Sequence, residues 1–150
     1  MRAIRAAAFV LLLSLIAFAT TVSAEQPPPP PVYRVIVNPK NPLTTIERTF
    51  LQDAFLKKTT RWPSDSVIRP VDLLPASEVR AKFSQQVLGR SIGAVRAYWQ
   101  QRIFSGTDIP PPEVDSDDKV IGFVLRNEGA VGYVSATASL NGAKLVNVIK

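Results

Sequence analysis

Short runs of β-branched and aromatic residues predict the strands of this chain. The first run extends from Val32 to Val37 and stops at Asn38-Pro39, which continues neither a helix nor a central strand. A run over 67–73 predicts a second strand. Pro70 places that strand at a sheet edge or a bulge, because proline cannot donate a ladder hydrogen bond. The stretch 128–134 is predicted to be a turn that runs into a short strand, and a last strand is predicted at 145–149.

Apolar residues at helical spacing predict helices between these strands. Thr44 and Glu47 have the spacing of a capping box, which predicts a helix over 45–57. Pro75 fits the first turn of a second helix, where its missing N–H costs nothing, and Gly89 ends that helix.

Two more helices follow. Ser91 is placed to cap the third, which ends before Ser105, and either Asp115 or Ser116 is placed to cap the fourth. Strands that alternate with helices indicate an α/β layer, with parallel pairing wherever a helix crosses between neighbouring strands. The positions that the four helices are expected to bury are Ile46, Phe50, Ala54, Phe55, Val79, Phe83, Val87, Ile92, Val95, Trp99, Ile103, Val120, Phe123 and Val124.

The first 24 residues have the pattern of a secretory signal peptide. Arg2 and Arg5 precede an almost wholly apolar stretch at 6–19, and Val22-Ser23-Ala24 is a small-residue cleavage site. The apolar stretch is shorter than the roughly 20 residues that cross a bilayer, which favours cleavage over an uncleaved membrane anchor. We therefore expect a signal peptide at 1–24, a proline-rich tether at 25–31, a single domain at 32–150, and no membrane span after cleavage.

The composition restricts the chemistry that the chain can perform. Its 150 residues include no His and no Cys, and 18 Lys+Arg stand against 12 Asp+Glu, a formal net charge of +6. Ser-His-Asp and Cys-His catalysis, disulfides and zinc-thiolate sites are excluded, so we expect no enzyme and no cofactor. An exported chain without cysteine suits a bacterial periplasm.

Neither a metal site nor a nucleic-acid site is expected. Asp115, Asp117 and Asp118 fit the start of a helix, and no calcium-loop pattern follows them. The basic residues Lys57, Lys58 and Arg61 come with no nucleic-acid recognition motif, so a solvated basic face is the preferred interpretation.

Three segments, taken in order, resemble the substrate-binding proteins of phosphate ABC transporters. They are Asn38-Pro39-Lys40-Asn41-Pro42-Leu43, then Phe55-Leu56 with Lys58, Thr60 and Trp62, and finally Gly129-Ala130-Val131-Gly132-Tyr133-Val134. The likeness covers nearly all of 32–150 and is to the second lobe of that family. It implies an α/β fold that is a single lobe of the type II periplasmic-binding-protein kind, a mixed sheet flanked by helices. A full member of the family closes two lobes on its ligand.

The resemblance also implies an anion site. The family holds its anion mainly with a Ser-Gly-Thr-Arg segment that opens a helix, where free N–H groups attract phosphate. The matching stretch here keeps Ser77 and Arg80 but has Glu78 and Val79 in place of the two central residues. Alternatively, Ser77 only caps its helix and Arg80 lies on a solvated face.

Thr44 and Thr45 are further candidate donors to an anion, because they lie at another predicted helix start. Capping by Thr44 accounts for that residue without any ligand, which favours the structural interpretation.

Two functions are open. The resemblance implies a periplasmic solute-binding protein for phosphate or a similar oxyanion, acting in transport. A single lobe would then need a homodimer, or an envelope or transporter protein, to supply the second wall of the site. The alternative is a non-catalytic module for protein–protein interaction in the envelope, which keeps the lobe and has lost the ligand site. Glu78 and the proline-rich tether favour this alternative.

Overall fold

The computed structural model describes residues 30–150. The predicted signal peptide, and all but the last two residues of the predicted tether, lie outside these residues and stay predictions. Within 30–150, no helix is long and apolar enough to cross a membrane.

Seven strands and four α-helices lie between residues 30 and 150. The strands are β1 Tyr33–Val37, β2 Thr45–Glu47, β3 Arg69–Pro70, β4 Asp72–Leu73, β5 Glu113–Val114, β6 Ala130–Ser135 and β7 Lys144–Ile149. The helices are α1 Arg48–Phe55, α2 Glu78–Phe83, α3 Ile92–Phe104 and α4 Asp117–Arg126, and a π-helical turn at Ser84–Leu88 continues α2 directly.

The main sheet has five strands in the order β2-β7-β1-β6-β3. Strand β1 is central and runs antiparallel to both β6 and β7. The two edge strands pair parallel with their neighbours, β2 with β7 and β3 with β6. Strands β4 and β5 form a separate parallel pair. The predicted α/β class with a mixed sheet is therefore confirmed.

A layer of aromatic rings joins one face of the main sheet to the helices. Tyr133 of β6 stacks on Phe83 of α2 with 3.8 Å between ring centroids, and Phe55 of α1 packs against both rings. All three side chains are buried. Burial of such large apolar surfaces is the main stabilising contribution to this layer.

The segments that carry the family resemblance hold the fold together. The buried Asn38 side chain donates from Nδ2 to the carbonyls of Val124 and Leu125 and so satisfies the last turn of α4. The buried Trp62 indole donates from Nε1 to the Gly129 carbonyl over 2.9 Å. The motifs therefore join distant elements through buried polar contacts.

Several predicted boundaries are confirmed. Strand β1 lies within the predicted run, and Pro70 belongs to an edge strand. Ser91 and Ser116 cap α3 and α4 through their side chains, which settles the choice between Asp115 and Ser116. Gly89 ends the second helical segment in the left-handed conformation, with φ 63°.

The predicted capping box at Thr44 and the helix over 45–57 are wrong in their first turn. Residues 45–47 form β2, which pairs with β7 about a hundred residues later, and this pairing outweighs the local helical pattern. Helix α1 begins at Arg48 with no side-chain cap.

The predicted start of the second helix and the predicted strand over 67–73 also need correction. Pro75 lies in the turn before α2, and Ser77 caps that helix. The strand divides into β3 and β4, because Asp72 and Leu73 leave the main sheet to pair with β5.

Two glycines of the third resemblance segment permit close packing. A Cβ on Gly129 would lie 1.9 Å from the carbonyl oxygen of Val67, and a Cβ on Gly132 would lie 2.6 Å from a methyl carbon of Val120. Both contacts are too close for any side chain, so the backbone just before β3 and the side chains of α4 come this near to residues 129–132 only because the two residues are glycine.

We expect Gly129→Ala to lower the free energy of unfolding by at least about 1–3 kcal/mol, because the backbone of Val67 must move to admit the methyl group. Urea unfolding followed by circular dichroism measures this. Gly93→Ala in α3 is the matched control, since a Cβ there meets nothing closer than 4.0 Å. Alanine is the better helix former, so the control should be neutral or slightly stabilising. Equal losses in both variants would contradict the packing argument.

Candidate functional site

Arg80 lies at the centre of a buried ion-pair network. It is only 6% exposed, although it belongs to the first turn of α2. Its Nη2 is 3.2 Å from Oδ2 of Asp72, and its Nη1 donates to Oε1 of Glu113 and to the carbonyl oxygen of Leu73. The guanidinium therefore joins α2 to both strands of the small sheet.

Asp72 is the inner member of this network. Its Oδ1 accepts hydrogen bonds from the Tyr133 hydroxyl and from the backbone N–H of Leu73. Burial raises the pKa of Asp72, and the Arg80 guanidinium and the Tyr133 hydrogen bond offset that effect in part. Burial, reinforced by the Asp72 charge, likewise raises the pKa of Tyr133. The Tyr133 hydroxyl therefore acts as a hydrogen-bond donor to Asp72.

Local structure brings these groups together. Ser77 caps α2 by accepting a hydrogen bond at Oγ from the backbone N–H of Arg80 over 3.3 Å, which fixes the start of the helix. The β4–β5 pairing sets Asp72 opposite Glu113. One carboxylate is thus placed in the interior, while the other, with its side chain 36% exposed, lies at the surface.

A groove of about 300 Å³ opens beside this network. One wall is the face of α3 whose residues are spaced three and four apart, and the opposite wall contains Pro75, Pro110 and Glu113. The buried side chains of Val95 and Trp99 line it, and Arg80 reaches it from the interior. The α3 residues along this face are Ile92, Val95, Arg96, Trp99, Gln100 and Ile103.

The structure corrects the alternative interpretation of Arg80, which placed this side chain on a solvated face. The side chain is buried, its Nη1 donates hydrogen bonds to Glu113 and to the Leu73 carbonyl oxygen, and its Nη2 forms an ion pair with Asp72. Ser77 lies at the helix start as predicted, and its hydroxyl is engaged in the cap.

Thr44 and Thr45 lie at no helix start. The Thr44 carbonyl accepts a hydrogen bond from the backbone N–H of Asn147, and Thr45 belongs to the edge strand β2. Thr45 lines a different depression from the groove that contains Arg80. The structure therefore does not bring the four candidate residues into one site.

Sequence reasoning missed Asp72, Glu113 and Tyr133. One signal for Asp72 was present, because a carboxylate between Val71 and Leu73 in an apolar strand needs a partner if it is buried. Nothing in the sequence pointed to Glu113 as that network's outer member, since the β4–β5 pairing joins residues about forty positions apart.

Two of the three acidic residues at the start of α4 have partners in the protein. Asp115 pairs with Lys119 over 2.7 Å, and Asp117 accepts hydrogen bonds from the backbone and side chain of Ser135. Across the described part of the chain, no three metal-ligating side chains gather in one place.

Solved structures of phosphate-binding proteins share this fold. The chain matches a putative phosphate ABC transporter substrate-binding protein with bound phosphate from Clostridium perfringens, with a TM-score of 0.61 and 21% identity, over 78% of this chain and 44% of that one. An ABC-type phosphate transport receptor from Vibrio cholerae matches with a TM-score of 0.61 and 21% identity, over 78% of this chain and 46% of that one. PstS from Borrelia burgdorferi matches with a TM-score of 0.60 and 13% identity, over 78% of this chain and 47% of that one.

These matches confirm the resemblance at the level of the fold, which is that of one lobe, about half of a phosphate-binding protein. The chain spans less than half the length of each of these three structures. No protein-family model and no curated protein sequence matches the chain.

We expect Arg80→Met to lower the free energy of unfolding by about 3–5 kcal/mol at neutral pH, because Asp72 is then left buried without its cation. Urea unfolding measures the loss. Lys119→Met, which removes the exposed cation of the Asp115 pair, is the control and should change stability far less. If the two variants lost similar free energies of unfolding, the buried Arg80 network would stabilise the fold no more than the exposed ion pair of Lys119.

The loss in Arg80→Met should also depend on pH. Without Arg80, the pKa of Asp72 in the folded protein rises further above its unfolded value, since burial already raises it. A carboxyl with a raised folded-state pKa contributes stability that is present below its unfolded pKa of about 4 and is lost as pH rises through the folded value. The deficit relative to the wild type should therefore grow from pH 4 towards pH 8. A deficit that shrinks over this range would contradict the mechanism.

Proposed function

We propose that this chain is a non-catalytic binding module of the bacterial envelope that holds another protein in the groove beside α3. The observation that carries the proposal is the internal pairing of Arg80. The family resemblance implies that the positive charge of Arg80 binds the anion. Here, however, its guanidinium contacts Asp72, Glu113 and a backbone carbonyl of the same chain.

A phosphate dianion at this position would be repelled by carboxylates, which carry charge of the same sign. Two unit charges of like sign 4 Å apart repel by about 4 kcal/mol in a partly buried setting, and Asp72 and Glu113 both stand beside Arg80. Glu78, the first residue of α2, adds a third negative charge at the helix end that would otherwise attract an anion.

The segments that carry the family resemblance support the same proposal. The Asn38 and Trp62 side chains and Gly129 are engaged in hydrogen bonds or close packing within the fold. A likeness carried by such residues explains why the lobe is kept while the ligand-binding segment differs. Export to the periplasm enters the proposal from the signal-peptide pattern of residues 1–24.

Oxyanion binding is the second candidate function. It is favoured by the phosphate bound to the Clostridium perfringens protein and by the presence of both Arg80 and Arg96 along one groove. For an oxyanion to bind, Glu113 would have to swing away from Arg80 and free one edge of the guanidinium. Glu113 lies at the surface, so this movement is sterically open.

We expect the wild-type protein to have the same melting temperature in 10 mM phosphate or sulfate as in a chloride solution of equal ionic strength. A ligand present at a hundred times its Kd would stabilise the folded state by about 2.7 kcal/mol, which is several degrees for a domain of this size. Glu113→Gln is the informative variant, because it removes one of the charges that exclude the anion. A saturable rise in the wild type that Arg80→Lys abolishes would favour the oxyanion function instead.

We expect a photo-crosslinking amino acid at position 103 to give protein adducts in cells that produce this chain, because Ile103 lies along the groove and is half exposed. Position 148 on β7 is the matched control, since Val148 is also apolar and exposed but does not line the groove. Adducts that are as frequent at 148 as at 103, or absent at both, would contradict the proposed function.

A further inference from the structure

We infer that the α3 groove binds an extended peptide segment in which one acidic residue stands next to a bulky apolar residue. This inference rests on the proposed function and names the chemistry of the partner. It follows from the packing of α3, from the shape of the groove and from the distribution of charge along it.

Helix α3 buries little of its apolar surface in the core. Val95 and Trp99 are buried, whereas Ile103 is 51% exposed and Phe104 is 90% exposed. Ile109, which lines a depression together with Ile103, is 66% exposed. Large apolar side chains exposed singly are ordinary, but Ile103 and Ile109 lie together beside the groove, as is typical of a contact surface.

The dimensions of the groove suit an extended segment. Its α3 wall runs from Ile92 to Ile103, which at 1.5 Å per residue is about 16 Å long. About five residues of extended chain cover the same length. The opposite wall includes Pro75 and Pro110, whose fixed backbones pre-form the groove.

This wall offers little for backbone pairing. Residues 110–112 are three consecutive prolines and donate no backbone hydrogen bonds, and β5 beyond them is only two residues long. A bound segment is therefore recognised through its side chains, and sheet extension by an added strand is disfavoured.

The charge along α3 has one sign. Residues 84–107 contain three arginines and no acidic residue. Arg90 and Arg102 lie over the Tyr98 ring, at 5.4 and 5.5 Å from its centroid. Arg96 instead lines the groove, is exposed, and forms no salt bridge with any residue that the structure describes. A partner carboxylate can therefore pair with the Arg96 guanidinium through both of its oxygens.

Glu113 determines where that carboxylate lies. Glu113 and Asp72 already pair with Arg80, so Arg96 is the arginine of the groove lining that a single acidic residue of the partner can reach. The neighbouring apolar side chain then lies on Ile103, which is half exposed. A polyacidic segment would bring a second carboxylate towards Glu113 and is disfavoured.

The test is fluorescence polarisation of the purified chain with labelled hexapeptides that carry one Asp or Glu flanked by Leu, Phe or Trp. The same peptides with Gln or Asn in place of the acid are the matched ligands. We expect the acidic peptides to bind at least threefold more tightly than their amide counterparts at 50 mM salt, and this preference to decrease as salt rises. Arg96→Gln should remove it, while Arg126→Gln, an exposed arginine that does not line this groove, should leave it unchanged.

Two results would overturn the inference. One is that no peptide binds above a scrambled control, and the other is that Arg96→Gln leaves the acidic preference intact. If position 103 still gives specific crosslinks in either case, the interaction function stands and only the partner chemistry is wrong. If those crosslinks are absent as well, the proposed function fails together with the inference.

Discussion

The buried guanidinium of Arg80 is the interaction on which this end of the molecule depends. The small sheet consists of two strands of two residues each, which is too little to be stable by its own hydrogen bonds. Arg80 ties this sheet to α2, and the Tyr133 hydroxyl ties it to the main sheet through Asp72. One wall of the groove is therefore held by electrostatic contacts that are made only when all of these elements are in place.

The same interaction separates fold from ligand binding in this chain. Solved phosphate-binding proteins share the architecture at 13–21% identity, and the residues that carry the sequence likeness lie in its internal contacts. The Arg80 side chain, which the resemblance expects to bind an anion, instead pairs with carboxylates of the chain itself. A lobe can thus keep its scaffold, because Asn38, Trp62, Gly129 and Gly132 are needed for packing, while its surface is free to take another partner.

Sequence patterns predicted most of the fold because most elements are specified locally. The β-branched run of β1, the hydroxyl caps at Ser91 and Ser116, and the left-handed Gly89 each act within a few residues. The errors occur where distant pairing outweighs a local pattern. Residues 45–47 read as helix but pair with β7, and 67–73 read as one strand but divide because β5 draws Asp72 and Leu73 away.

The candidate site was less accessible from sequence for the same reason. Ser77 and Arg80 were found through the family resemblance, but their chemistry depends on Asp72 and Glu113, which only the β4–β5 pairing brings together. Folding of the main sheet also depends on pairing between distant segments, because its central strand is β1. Its two neighbours, β6 and β7, lie about a hundred residues later in the chain, so the centre of the sheet can form only after long loops close. A newly made chain therefore holds an apolar strand with both edges unpaired until its last quarter is synthesised. Such a chain folds slowly and stays open to aggregation during that interval.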